Sequence, residues 1–219
     1  MSSISNVLIT GGSGFVGSWM KKTQPENMFV EYLGSWEYDN YLFASRSWDY
    51  IVHLAPIAPS FIITLTKRFN ARLLYCSSGA VYHSEYQDKQ YRDNKIKWEQ
   101  ECLDSGIDVV IARLFTFWGS SKAQTTLFEQ ARNGDYLDVW GDCTRSFMTG
   151  ADLGRWMWAI LLRGESGQAY DVGSDRPVTI QRLAERISAF TGCWIRTVPH
   201  DVPMPIYLPE NTEKTKALL

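Results

Sequence analysis

Short apolar runs alternate with amphipathic stretches through the first half of the chain. The segment NVLIT (residues 6–10) is apolar, partly β-branched, and stops at glycine, which predicts a buried strand. FVGSWMKK follows as a short helix that ends before Pro25. MFVEYL (28–33), DYIVHLA (49–55) and ARLLYCSS (71–78) predict three further strands. SFIITLTKRF (60–69) predicts a helix between the last two, although its β-branched residues weaken it. Residues 91–105 predict a helix with Ile96, Trp98 and Cys102 among its less polar positions and Gly106 at its end. DVVIARLFTFWG (108–119) predicts the strongest strand.

The strands read as continuous apolar runs, the signature of burial on both faces. Strands that alternate with helices pair in parallel, because a parallel connection needs a crossover. The expected fold class is α/β: a Rossmann-like doubly wound parallel sheet with a small C-terminal substrate-binding lobe.

After Gly119 the pattern changes. AQTTLFEQARNG (123–134) predicts a helix, and YLDVWGD (136–142) a strand followed by a turn. Residues 151–163 place Leu153, Trp156, Met157, Ile160 and Leu161 on one helical face. Packing, not sugar stacking, is the expected role of Trp156 and Trp158. QAYDVGS (168–174) predicts a strand, and TIQRLAERISAF (179–190) a helix that stops at Gly192. From Pro199 onward the chain carries four of its eight prolines and predicts irregular structure. The expected organisation is a dinucleotide-binding core over residues 1–119, with 151–174 packing back on it. Residues 120–150 and 175–219 would form the substrate lobe.

Of 219 residues, 45% are hydrophobic and 21% charged, as in ordinary globular chains, and the formal net charge is -2. No basic run marks a nucleic acid or an anionic membrane as partner. The N-terminus lacks the pattern of a signal peptide, and no run approaches the roughly 20 apolar residues of a membrane span. Cys76, Cys102, Cys143 and Cys193 are scattered without CxxC spacing, which predicts reduced thiols and a cytoplasmic location. His53, His83 and His200 are equally dispersed, and no metal site is expected.

Candidate chemistry sits on two segments. LITGGSGFVGSW spaces Gly11, Gly14 and Gly17 between a strand and a helix. There the chain turns tightly, a phosphate can approach the backbone, and the helix offers unpaired N–H groups. The acidic residue that would fix an adenosine ribose has no clear counterpart. Glu31 lies inside the second strand, and Glu37 and Asp39 lie beyond it. NAD and NADP therefore both stay open. In CSSGAVYHSEYQDKQYRDNK, Ser77 and Ser78 end a strand at the carboxyl edge, where open α/β sheets hold ligands. Tyr91 follows thirteen residues later, and Lys95 one helical turn after it. A free phenol titrates near 10, and an adjacent ammonium would lower that value. Such a tyrosine could exchange a proton with a substrate oxygen held by the serine, while a nicotinamide exchanges hydride. A Tyr–Lys pair is also ordinary on a solvated helix face, and paired serines also mark turns. The order glycine turn, serine edge, Tyr-x-x-x-Lys favours the chemical reading.

In that order the sequence resembles the extended short-chain dehydrogenase/reductases, specifically the NAD-dependent epimerase/dehydratase group that modifies nucleotide sugars. The matching segments are ITGGSGFVGS, IVHLAP, LLYCSSGAVY, YRDNKIKWE, ARLFTFWG, RSFMTGADL and AYDVGS. The resemblance implies that Gly11, Gly14 and Gly17, with Phe15 and Val16, bind the cofactor pyrophosphate end. It implies that Leu54, Ala55 and Ser77 line the cofactor. Ser78 matches the catalytic hydroxyl and a substrate contact, and Tyr91 the acid/base. Lys95 matches the residue that meets the nicotinamide ribose and tunes the tyrosine. Arg145 matches an arginine that meets the substrate diphosphate. The chain is shorter than is usual for the family, and Gly79-Ala80 stand where its dehydratases carry an Asp-Glu pair. The implied activity is NAD(P)-dependent nucleotide-sugar epimerisation or 4-keto-sugar reduction. The alternative is a reduced member that binds a dinucleotide or a nucleotide sugar without turnover. The resemblance also implies a homodimer paired through the Tyr–Lys helix.

Overall fold

The structure, a computed structural model, describes residues 4–34, 46–119, 122–139, 143–198 and 206–219. The chain begins β1 (Ser5–Thr10), α1 (Phe15–Lys22), β2 (Met28–Leu33), β3 (Tyr50–His53), α2 (Ser60–Phe69), β4 (Arg72–Ser78). A 3₁₀ turn (Gly79–Tyr82), α3 (Lys89–Asp104), β5 (Asp108–Leu114) and β6 (Thr116–Phe117) follow. The second half holds α4 (Lys122–Asn133), β7 (Tyr136–Val139), β8 (Thr144–Met148) and α5 (Gly150–Arg163). It closes with β9 (Ala169–Val172), β10 (Pro177–Thr179), α6 (Ile180–Thr191), β11 (Trp194–Thr197) and α7 (Thr212–Lys216).

Six strands form one parallel sheet in the order β2-β1-β3-β4-β5-β9. Strand order reverses between β1 and β3, and ligands of open α/β sheets bind outside the carboxyl ends at such a point. The fold is therefore the Rossmann-like α/β sheet that the apolar runs predict. Successive residues of each strand feed opposite faces. Val7, Ile9, Leu74 and Val110 pack with Met20 of α1 and with Leu153, Met157 and Leu161 of α5. Leu8, Ile51, Leu73 and Ile111 pack with Ile62 and Leu65 of α2 and Cys102 of α3. This double burial is why the strands carry no polar alternation. Trp156 and Trp158 are both buried in the first of these clusters, and the Trp158 indole donates to the Met20 carbonyl at 2.9 Å.

A separate apolar cluster gathers Leu127 of α4, Leu137 and Val139 of β7, Leu183 and Ile187 of α6, and Cys193. Two small sheets accompany it, β10-β8-β6 and the parallel pair β11-β7. Two sequence expectations change. The run 108–119 is not one strand: β5 ends at Leu114, Phe115 turns away, and β6 joins a different sheet. The Phe115 ring stacks in an aromatic cluster instead, a choice that hydrophobicity cannot register. The tail is not irregular throughout: α7 forms at 212–216, with the Asn211 side chain accepting from Lys214 N. A helix this short cannot hold itself in water. Lys214 Nζ donates to Gln168 Oε1 and Ala169 O, and Thr215 Oγ1 donates to Asp171 O, so β9 supports it. The turn expected at 140–142 and the start of the tail at 199–205 lie outside the described residues.

Helices α1 and α5 pack closely at Gly154. A Cβ at Gly154 would stand 2.3 Å from Thr23 Oγ1 and 2.6 Å from Trp19 O. Gly154→Ala gains about 1 kcal/mol of helix propensity, but overpacking against backbone costs about 1–3 kcal/mol. A net loss is expected, read as a lower urea midpoint at an unchanged m value.

Candidate active site

The glycine turn is built by contacts that leave no room for side chains. Gly11 has φ +70°, and a Cβ there would stand 2.8 Å from Ala55 N at the end of β3. Leu54 and Ala55 thus lie directly against the turn. A Cβ at Gly17 would meet Gly12 O at 2.4 Å, so glycine lets α1 start tightly against the turn. Gly14 caps α1 without a side-chain hydrogen bond. The first-turn N–H groups, those of Phe15, Val16 and Gly17, lack partners within the helix and carry its positive dipole end. Beyond Gly11 O at 3.3 Å, a Cβ at Gly14 would meet nothing within 4 Å. This cradle fits a diphosphate. Phe15 stacks on Phe117 with 6.2 Å between ring centres. On the β2 side, Glu31 pairs in register with Leu8, and Glu37 and Asp39 lie outside the described residues.

One strand away from β3, β4 ends at Ser78, whose Oγ accepts from Ala80 N at 3.2 Å and opens the 3₁₀ turn. Ser77 Oγ is buried with no hydrogen-bond partner among the described residues, a state that suits a polar ligand at this edge. Asp88 caps α3 by accepting from Tyr91 N at 2.9 Å. Lys95 is buried, and its Nζ donates to Cys76 O at 2.8 Å. The same Nζ stands 5.9 Å from the centre of the Tyr91 ring. The structure therefore brings Ser78, Tyr91 and Lys95 together at one strand end.

Their electrostatics differ from the expectation of an acidified phenol. Burial pushes the Tyr91 phenol above its ordinary value, and Ser78 only partly opposes this. Burial also pulls the Lys95 ammonium below its ordinary value, with the Cys76 thiol and Glu99 opposing. Desolvation penalises the charged form of each group, and here it is the largest cause for both. Arg145, on β8, donates from Nη1 to Thr144 O at 2.9 Å, and its guanidinium lies 5.9 Å from the Tyr207 ring.

Sequence reading passed over several residues at this edge. Tyr207 lies in the tail, yet its hydroxyl is 3.1 Å from Ser78 Oγ. A separation of 129 residues gives no local pattern to find it by. Arg113 of β5 donates to the Glu99 carboxylate of α3 at 2.6 Å and to the Tyr82 hydroxyl at 2.7 Å. Tyr82 donates in turn to Asp171 Oδ1 at 2.9 Å. His53 ends β3, with Nδ1 2.7 Å from Thr10 Oγ1 and Nε2 3.2 Å from Ile57 O. Among the described residues no group of three or more His, Cys, Asp or Glu could hold a metal ion, and no helix is long and apolar enough to cross a membrane. No disulfide joins the four cysteines, and all four are buried.

A family model described as NAD dependent epimerase/dehydratase family matches residues 50–173, more than half of the chain. A comparison with curated proteins finds no match. Among solved structures, dTDP-glucose 4,6-dehydratase from Bacillus anthracis in complex with NAD superposes with a TM-score of 0.78 at 20% identity, over 97% of this chain and 89% of that one. RMD from Pseudomonas aeruginosa, complexed with NADPH, gives 0.73 at 22% identity over 89% and 87%. UDP-N-acetylglucosamine 4-epimerase from Bacillus cereus gives 0.72 at 16% identity over 90% and 87%. At these identities the likeness is one of fold.

His53 provides a pH test of the site's frame. Burial is the main force that lowers it from 6.5 to about 4. The unfolded chain binds this proton at pH values where the fold keeps the ring neutral. Its contribution is thus complete above pH 6.5 and is lost as pH falls toward 4, a change of about 3 kcal/mol. Urea midpoints measured across that window are expected to fall more steeply for the wild type than for His53→Gln.

Proposed function

The chain belongs to the NAD-dependent epimerase/dehydratase family, and from that premise we propose that it is an NAD(P)-dependent enzyme that epimerises a nucleotide sugar or reduces its 4-keto form. The observation that carries this reading is the meeting of Ser78, Tyr91 and buried Lys95 on the same sheet edge as the glycine cradle. Neighbours of the same fold are crystallised with NAD or NADPH, and one is named as a UDP-N-acetylglucosamine 4-epimerase.

Gly11, Gly14 and Gly17, with the N–H groups of Phe15 and Val16, would hold the cofactor pyrophosphate. Leu54, Ala55 and Ser77 would line the cofactor, and Lys95 would meet its nicotinamide ribose. When bound, the nicotinamide supplies hydride exchange with a sugar carbon. Ser78 would hold the sugar oxygen by a hydrogen bond. Tyr91 would give its proton to that oxygen or take one from it. Arg145 would meet the diphosphate of the substrate through its paired N–H groups. In this reading residues 1–119 and 151–174 hold the cofactor, and 120–150 with 175–219 cover the substrate. Gly79 and Ala80 place no carboxylate after Ser78, which supports epimerisation or reduction over elimination of water. Pairing of two chains through α3 would cover Ile96 and Leu103, both exposed on that helix.

The competing reading is a binding protein without turnover. The Tyr207 hydroxyl favours it, because it already shares a hydrogen bond with Ser78.

The test joins binding to turnover. Titration with NADH and NADPH, followed by fluorescence, is expected to show saturable binding. A panel of nucleotide sugars and their 4-keto forms is then assayed for hydride exchange. Tyr91→Phe is expected to lower kcat by about 10²-fold or more while cofactor affinity holds. Wild-type turnover in that variant would remove Tyr91 from the chemistry. Binding with no turnover on any member of the panel would select the second reading.

A further inference from the structure

The parallel pair β7–β11 has two unlike faces. Leu137, Val139 and Ile195 turn toward the apolar cluster of Leu127 and Ile187. The other face shows solvent Trp194 at 73% and Tyr136 at 53% exposure, and the two are neighbours in register. Beside them Arg196 meets Asp138 through two nitrogens, Nε at 2.7 Å and Nη2 at 3.0 Å, and its guanidinium lies 5.3 Å from the Tyr136 ring. The face thus sets two large aromatics beside a charge pair that sums to zero, and adjoining exposed apolar side chains of this kind mark contact surfaces.

β11 is also an open edge. Among the described residues it pairs only with β7. Trp194 N donates to Asp135 O at 2.7 Å and Val198 N to Val139 O at 3.0 Å, so the even-numbered residues bond toward β7. By the alternation of a strand, the N–H and C=O groups of Ile195 and Thr197 point the other way, where no described strand receives them. Such an edge recruits a strand of complementary pattern.

The pattern that complements it is its own. Two copies that meet about a two-fold axis pair antiparallel, and outward residues must face outward residues. Centred on Ile195, this pairing sets Trp194 opposite Arg196 of the second copy. A row across the joined sheet then reads Tyr136, Trp194, Arg196, Asp138, the last two from the second copy, and the axis repeats the row. Each indole meets a cation, and each cation keeps its carboxylate. Shifting the register by two toward the C-terminus would set Arg196 against its own copy, a destabilising like-charge pair. Shifting it by two the other way would bring Arg196 against Gly192, whose φ of +77° lies outside extended backbone.

We propose that β11 is a self-association edge: two copies of this chain join through antiparallel β11 strands centred on Ile195, making one four-stranded sheet β7-β11-β11-β7. The contact is separate from pairing through α3 and uses no residue of the candidate active site. A wholly covered aromatic ring buries ~150–250 Å². Four partly exposed rings and two strand edges bring the contact to the order of 1,000 Å², the lower bound of specific interfaces. Reversible association is therefore expected, in place of a permanent dimer.

The experiment is sedimentation of the full chain over a concentration series that spans the micromolar range. The wild type is expected to gain mass with concentration. Thr197→Pro removes an outward N–H and puts a ring on the edge while keeping every bond toward β7. It is expected to halve the mass at the top of the series, whether or not chains also pair through α3. The register is read with Trp194→Lys and Trp194→Glu, both at an exposed position. The first meets Arg196 of the second copy as a like charge and the second as an opposite one, so Trp194→Lys is expected to associate about ten-fold more weakly than Trp194→Glu. The net charge of -2 on the whole chain would favour the reverse order. A wild type that stays monomeric, a mass unchanged in Thr197→Pro, or Trp194 variants that weaken equally or in the reverse order overturns the proposal. Should Thr197→Pro fail to fold by circular dichroism, the two Trp194 variants decide alone. No cofactor or substrate enters, so a chain that turns over no nucleotide sugar would fail the catalytic reading and leave this outcome standing.

Discussion

A buried ammonium must find an oxygen, and that requirement orients the site. Lys95 satisfies it at the Cys76 carbonyl. An unpaired charge at this depth would cost several kcal/mol, so α3 cannot rotate freely against β4. Tyr91, Lys95 and Glu99 follow one another at four-residue steps, which places them on one helix face. Pinning the middle of the three to the strand sets Tyr91 above the strand end and Glu99 against Arg113 of β5. The sheet-facing side of this helix is thus polar along much of its length. Its packing serves orientation as much as burial.

That inversion explains what was legible. The sheet could be read because strands buried on two faces have little choice of residue type: Val7 through Ile9 and Leu73 through Tyr75 serve both apolar clusters. The glycine turn could be read because Gly11 and Gly17 occupy places where any Cβ would strike backbone. Ser78, Tyr91 and Lys95 could be read as a set because their chemistry makes sense only together. The sign of the Tyr91 shift could not, since a spacing of four says that a cation is near and nothing about how dry the surroundings are. Burial acts on phenol and ammonium alike and favours the neutral form of each. Phe115 and Tyr207 escaped because their partners come from other elements: a strand break that serves an aromatic cluster, and a tail residue that returns across the sheet edge.

The polar contacts at this edge close into a ring. Tyr91, Lys95 and Glu99 share α3; Glu99 holds Arg113; Arg113 and Asp171 share the Tyr82 hydroxyl. Asp171 holds the backbone of the tail, the tail holds Tyr207, and Tyr207 meets Ser78 beside Tyr91. Five separate pieces of chain are joined: α3, β5, the 3₁₀ turn after β4, β9 and the tail. Each hydrogen bond contributes about 1 kcal/mol net, but a buried partner left unmade costs about 1–3 kcal/mol. The ring is therefore strongest as a constraint on geometry, since displacing any one member strands its neighbour.

This also accounts for ionic groups at positions that an apolar pair could fill. Glu99 is 5% exposed, and its partner Arg113 sits in the sheet between buried strands. Measured against a well-packed apolar pair, a buried ion pair adds little stability and often lowers it. An apolar pair, however, would let α3 slide or turn, because dispersion contacts have no direction. The Glu99–Arg113 bond is made through two guanidinium nitrogens, Nε and Nη2, and Arg113 Nη1 is left for Tyr82. One side chain thereby fixes the helix that carries Tyr91 and, through Tyr82 and Asp171, the tail that carries Tyr207. The same charge that weakens the core makes Tyr91 and Tyr207 answer to a single frame.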